Sequence, residues 1–129
     1  MFERLEILAI ARDLAVHAGA RQTVTAENVA NADTPGYRAR DLPDFSEIYR
    51  SGKMETSLRQ TRASHMDLAS RGMVAFAEDT DGAASPNGNT VSLESELVRA
   101  ADIRSQHNRA LSVYGASLDM IRAAIGRSR

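Results

Sequence analysis

Asn28-Val29-Ala30-Asn31-Ala32-Asp33-Thr34-Pro35-Gly36-Tyr37 divides this chain in two. Everything before it reads as one long helix, and little of the next fifty or so residues does. Pro35 has no N–H to donate and pushes Thr34 out of the α region, so a helix arriving from upstream must stop here. Pro35-Gly36 suits the central positions of a type II turn, where proline fixes φ and glycine accepts a positive one. The stretch therefore ends a helix, turns sharply and leaves extended.

Upstream, residues 3 to about 32 are expected to be helical. A stripe spaced by three and four residues runs through Met1, Leu5, Leu8, Arg12, Ala15, Gly19, Gln22, Ala26 and Val29. Its middle is small or polar, so this helix approaches a neighbour closely but buries little area. Thr23-Val24-Thr25 is a weak helix former that suits a fray or a bend, because branching at Cβ restricts χ1.

Downstream, Arg38 to Phe45 reads as extended chain with Pro43 inside it, and Phe45, Ile48 and Tyr49 suit one helical turn. Leu58–Leu68 has no clear period, and Met73-Val74-Ala75-Phe76 is a candidate short strand. Asp79 to Asn89 is rich in turn formers. A second long helix begins after Ser92, a good N-cap, with Glu94 and Glu96 near the positive end of its dipole. Its stripe is Leu97, Ala100, Arg104, His107, Leu111, Tyr114, Leu118, Ile121 and Ile125, the clearest periodic signal in the chain.

These readings predict a mainly α fold. Long N- and C-terminal helices form a coiled-coil-like hairpin around an irregular or short-β middle segment. The expected divisions are 1–37, an N-terminal assembly helix and Asn/Pro-Gly hinge; 38–90, an irregular middle segment; and 91–129, a C-terminal heptad helix. At ~1.5 Å per residue the helices span roughly 40 and 50 Å. A compact globule of this length has a diameter of roughly 36 Å. The helices outrun any globule they build, so they project, and partners are expected to complete their burial.

Composition removes several functional classes. Of 129 residues, 43% are hydrophobic but only 5% are aromatic, and there is no tryptophan, so an independent core is thin. A net charge of −1 gives no electrostatic footprint for nucleic acid or an anionic membrane. With no cysteine there are no disulfides or thiolate metal sites. The N-terminus carries acidic residues at once and lacks the pattern of a Sec signal, so any exit from the cytoplasm is expected to use another route. His17, His65 and His107 have no ligand spacing, and Asp79, Asp81 and Gly82 lack the rest of a calcium loop. No catalytic residue, metal ligand or cofactor site is predicted, and no small-molecule substrate. Asn28 and Asn31 stand one turn apart on one helix face. Either Asn31 simply helps to end the helix, or both amides bond a neighbouring backbone or subunit.

The decapeptide resembles the N-I-A-N-x-x-T-P-G-Y signature of the axial proteins of the bacterial flagellum, the rod and hook family. Asn28, Val29, Ala30, Asn31, Thr34, Pro35, Gly36 and Tyr37 carry the match, with Val29 in place of the usual isoleucine. In that family a long helix precedes the signature and a heptad helix ends the chain. A second block, Arg38 to Phe45 followed by Pro86-Asn87-Gly88-Asn89-Thr90-Val91, is similar to the proximal rod proteins in particular.

The resemblance implies a structural subunit and not an enzyme. Such a subunit leaves the cytoplasm through the type III export gate without a Sec signal. It then self-assembles through its terminal helices into the periplasmic drive-shaft tube of the basal body, which transmits torque and encloses the export channel. Expected partners are other copies, neighbouring rod proteins, and the membrane-ring adapter protein and export-gate components at the rod base. The expected assembly interface is Leu5, Leu8, Ala15, Val29, Leu97, Ala100, Leu111, Tyr114, Leu118, Ile121 and Ile125. The competing reading is a soluble helical-hairpin adaptor or chaperone that forms a small oligomer.

Overall fold

The structure, a computed structural model, describes residues 2–50, 77–80 and 82–126, with side chains from residue 6 onward. The element order is α1 (Phe2–Ala30), β1 (Arg40–Asp41), α2 (Phe45–Arg50), β2 (Glu78–Asp79) and α3 (Leu93–Gly126). With 29 and 34 residues, α1 and α3 are about 44 and 51 Å long. They form the mainly α hairpin expected from the sequence. Met73–Phe76, Leu58–Leu68, His65 and Asp81 lie outside the described residues.

The two long helices pack antiparallel. Asn28 meets Glu96 near the loop end, Ala18 and Gly19 lie beside Ala100 and His107 at mid-length, and Ala11 meets Ala110 nearer the other end. Ala11, Ala18 and Thr25 are buried on α1, and Glu96, Ile103, Ala110 and Ser117 on α3. Both sets recur at a spacing of seven, the period of two helices coiling left-handedly around each other. Small residues dominate, so the axes approach closely, and Ile103, 1% exposed, is the one large apolar side chain fully buried in this seam among the described residues.

This seam is not the stripe that hydrophobicity selects. On α3 the buried residues each precede a stripe residue by one position, a rotation of about 100°. Leu97 (67% exposed), Leu111 (50%) and Ile125 (72%) therefore face outward. The apolar pattern marks the face richest in large side chains, whereas the intramolecular seam selects small side chains and polar ones that find partners.

Helix α1 runs unbroken through Thr23-Val24-Thr25, which suited a fray or a bend. Packing of Thr25 against α3 overrides the local propensity, and the Thr23 hydroxyl donates to the Gly19 carbonyl one turn back (3.2 Å). At the hinge, the Tyr37 amide donates to the Thr34 carbonyl (3.2 Å) and Gly36 has φ +70°, as a type II turn requires. The chain then runs back along the hairpin as an arm. Residues 40–41 pair antiparallel with 78–79 in the register Arg40↔Asp79 and Asp41↔Glu78. The Asp44 carbonyl accepts from the amides of Glu47 (3.0 Å) and Ile48 (3.1 Å) to open α2, whose Ile48 is buried.

Candidate functional site

The hinge is held by a polar knot. Asn28 is fully buried and uses all the hydrogen-bonding capacity of its amide. Its Nδ2 donates to the Arg40 carbonyl (2.7 Å) and to Glu96 Oε2 (3.1 Å). Its Oδ1 accepts from the Arg40 amide (3.0 Å) and the Tyr37 hydroxyl (3.4 Å). The side chain thus pairs with Arg40 as a strand backbone would and fixes the arm against α1. Asn31 does something different. Its Nδ2 donates to the Glu27 carbonyl (2.8 Å) and its Oδ1 accepts from the Thr34 hydroxyl (3.2 Å), so it finishes the helix.

Asn89 is the residue that sequence reading passed over. Its Nδ2 lies 2.9, 2.8 and 2.8 Å from the carbonyls of Asn31, Ala32 and Thr34. The Asn31 and Thr34 carbonyls also accept the amides of Thr34 (3.0 Å) and Tyr37 (3.2 Å), so Asn89 adds further bonds to the carbonyls of the terminating helix and its turn. Its Oδ1 accepts from the Val91 amide (2.7 Å). Thr90 continues the join: its hydroxyl accepts from the Ala39 amide (2.8 Å) and its own amide donates to the Tyr37 carbonyl (3.1 Å). Gly88 has φ +80°, and a Cβ there would sit 3.5 Å from Gly36 Cα, so two glycine turns pack against each other. The Asn87-Gly88-Asn89 spelling signals a turn, but not that its second asparagine is buried.

A chain of charges extends the knot along the hairpin. Arg21 holds Asp41 through two bonds (3.0 and 2.6 Å), and Arg99 Nε lies 3.2 Å from Asp41 Oδ2. Arg99 also pairs with Glu96, which is 2% exposed and reaches Asn28. Two guanidiniums thus offset two carboxylates. Burial opposes ionisation of Asp41, but the hydrogen bonds and charge of Arg21, the Leu42 amide and Arg99 more than compensate and hold its pKa below 3.8. Further along, His17 Nε2–H donates to the Pro43 carbonyl (2.9 Å), and its ring packs edge-on against Phe45 (5.8 Å).

On the side away from the arm, a groove of about 530 Å³ runs between the helices, lined by Ala18, Gly19, Gln22, Ala100, Ala101 and Arg104 among others. Among the described residues, nothing outside the two long helices lines it. At helical spacing, Ala15 and Val29 continue the row of Gly19 and Gln22, and Leu97 and Leu111 continue that of Ala100 and Arg104. Leu8, Ala15, Ala100, Tyr114, Leu118 and Ile121 are half-buried. Val29 (41% exposed), Leu97, Leu111 and Ile125 are exposed, and the Leu5 side chain lies outside the described ones. Of the signature residues, Asn28 and Tyr37 point into the knot, while Val29, Ala30, Thr34, Pro35 and Gly36 are on the surface. Among the described residues no group of three or more His, Asp or Glu is placed to hold a metal ion, and no helix is long and apolar enough to cross a membrane.

Comparison with known proteins bears on both features. Residues 17–38, the second half of α1 with the hinge, match the family model described as flagella basal body rod protein. The flagellar basal body rod protein FlgB of Salmonella typhimurium is 35% identical over 106 residues, covering 76% of this chain and 77% of the relative. FlgB of Escherichia coli is 32% identical over the same shares. FlgB of Cereibacter sphaeroides is 31% identical over 121 residues, covering 87% and 92%. The chain belongs to the FlgB family of flagellar basal body rod proteins.

Proposed function

We propose that this chain is a structural subunit of the proximal rod. In this reading it self-assembles through its terminal helices into the periplasmic tube that transmits torque and encloses the export channel. The observation that carries the reading is the open face: large apolar side chains stay in water on a hairpin whose other side is sealed by its own arm. Several large apolar side chains exposed along one side of the hairpin call for a partner. Leu8, Ala15, Val29, Leu97, Ala100 and Leu111 meet neighbouring copies along the groove, and Tyr114, Leu118, Ile121 and Ile125 extend that contact towards the end of α3. Other copies and neighbouring rod proteins cover this surface. The membrane-ring adapter protein and export-gate components contact the rod base. The hinge around Asn28 sets the angle at which the arm leaves the helical layer.

Replacing Leu97 and Leu111 together by Asp tests this. Both are at least half exposed, so the isolated subunit is expected to melt within about 0.5 kcal/mol of the parent for each change. Basal bodies with rods, and motility, are expected to be lost while synthesis continues. A fully motile double variant would overturn the reading.

A further inference from the structure

His17 lies at the centre of the covered face and takes no part in the proposed assembly surface. It is 2% exposed, and Nε2–H is committed to the Pro43 carbonyl (2.9 Å). That bond fixes the tautomer, so the neutral ring presents Nδ1 as a bare acceptor. Nδ1 is buried with no hydrogen-bond partner among the described residues. A neutral ring tolerates this, but a proton added at Nδ1 would be a buried donor, on a buried cation, with nothing to receive it.

The surrounding charges do not supply a receiver. On α1, Arg21 opposes a second positive charge, and Asp13 is engaged by Arg12 (2.9 Å). On the arm, Asp41 and Asp44 favour protonation, but Arg21 and Arg99 already hold Asp41, and Asp44, itself exposed, pairs with Arg21 at 3.4 Å. On α3, Asp102 acts on Arg21. What His17 holds is the arm, through Pro43 and the Phe45 ring.

We propose that His17 is an acid-sensitive latch: its protonation releases the arm, residues 41–50, from α1 and uncovers the sealed face of the hairpin. Burial is the largest influence on the ring and lowers its pKa below 6.5, outweighing the Pro43 bond. The unfolded or released form therefore binds the proton more readily than the latched form. Latching is complete above about 6.5 and is lost as pH falls from there through the folded value. One proton per opening makes the opening constant rise by up to about tenfold per pH unit in that window. Ordinary carboxylates stay ionised above about pH 5.5, which separates this step from general acid unfolding.

Amide hydrogen exchange of the full chain between pH 7.5 and 5.5, corrected for intrinsic rates, reads the latch. Protection of residues 41–50 is expected to fall by up to about tenfold across this range, while the hinge bonds of Asn28 stay protected. A His17→Phe variant keeps the ring but not the proton, and its arm is expected to show no such pH dependence. A variant with His65→Gln and His107→Gln is expected to retain the full response. Unchanged protection in the parent chain, or an equal loss in His17→Phe, would overturn the proposal. Should His17→Phe fail to fold, NMR of the parent ring decides. A His17 midpoint below 6.5 that coincides with shifts of the arm amides supports the latch, and a midpoint at or above 6.5, or arm amides that do not move with it, refutes it.

Discussion

The covered face of the hairpin carries His17, Asn28 and Glu96, all buried, with Arg21 and Arg99 partly buried beside them, while the open face carries Val29, Leu97 and Leu111 in water. A self-sufficient globule would reverse this arrangement. Replacing buried charge networks by packed hydrocarbon is often neutral or stabilising, so Arg21–Asp41–Arg99–Glu96 is better understood as fixing position than as adding stability. Each partner must sit where another can reach it, which sets the register of α1 against α3 and the path of the arm. The open face fixes nothing within the chain; its apolar surface becomes stabilising when something covers it. One side specifies the subunit, and the other commits it to neighbours.

The sharpest way to break this contrast is to remove one charge from the covered face. Asp41→Ala removes the carboxylate shared by Arg21 and Arg99, leaving Arg21 only exposed Asp44 at 3.4 Å and Arg99 only Glu96, and chemical unfolding is expected to show a loss of up to about 3–5 kcal/mol. An effect below 1 kcal/mol would mean that the network is decorative. Next comes a matched pair of truncations. Ile103→Ala in the seam is expected to lose about 2–5 kcal/mol, while Leu97→Ala on the open face shifts the isolated subunit by about 0.5 kcal/mol or less. Equal losses would erase the distinction between the faces.

Smaller effects belong to the hinge and seam. Gly36→Ala places a Cβ in open space but at φ +70°, so thermal melting is expected to report a loss of about 1–2 kcal/mol from backbone strain alone. The smallest change has the opposite sign. The buried Thr25 hydroxyl has no partner among the described residues, so Thr25→Val is expected to stabilise the free subunit by up to about 1 kcal/mol. A loss instead would show that the hydroxyl finds a partner in solution.

The helices, the hinge and the Ser92 start were legible because each has a local cause: a missing N–H at Pro35, a positive φ at Gly36 and a cap with acidic residues behind it. The rotation of the seam was not. Ala11, Ala18, Ala110 and Ser117 carry little hydrophobic signal, and buried Glu96 reads as a surface residue until Arg99 and Asn28 are placed beside it. Asn28 stands out in the sequence as an amide one turn from Asn31, but its partner, the Arg40 backbone, becomes apparent only once the arm folds back. Asn89 sits among turn formers that look alike in sequence, and its role depends on three carbonyls far away in the chain.

The Asn89 contacts also bear on how such a chain can change its length. They tie residue 89 to residues 31–34, and the Arg40–Asp79 ladder ties the arm to the returning strand, so everything between leaves and re-enters at fixed points. Closing a loop between fixed ends becomes harder only with the logarithm of its length, about 0.6 kcal/mol for each doubling. The ties from Asn89 to the hinge and from Arg40 to Asp79 therefore cost little more to form when the chain between them is longer.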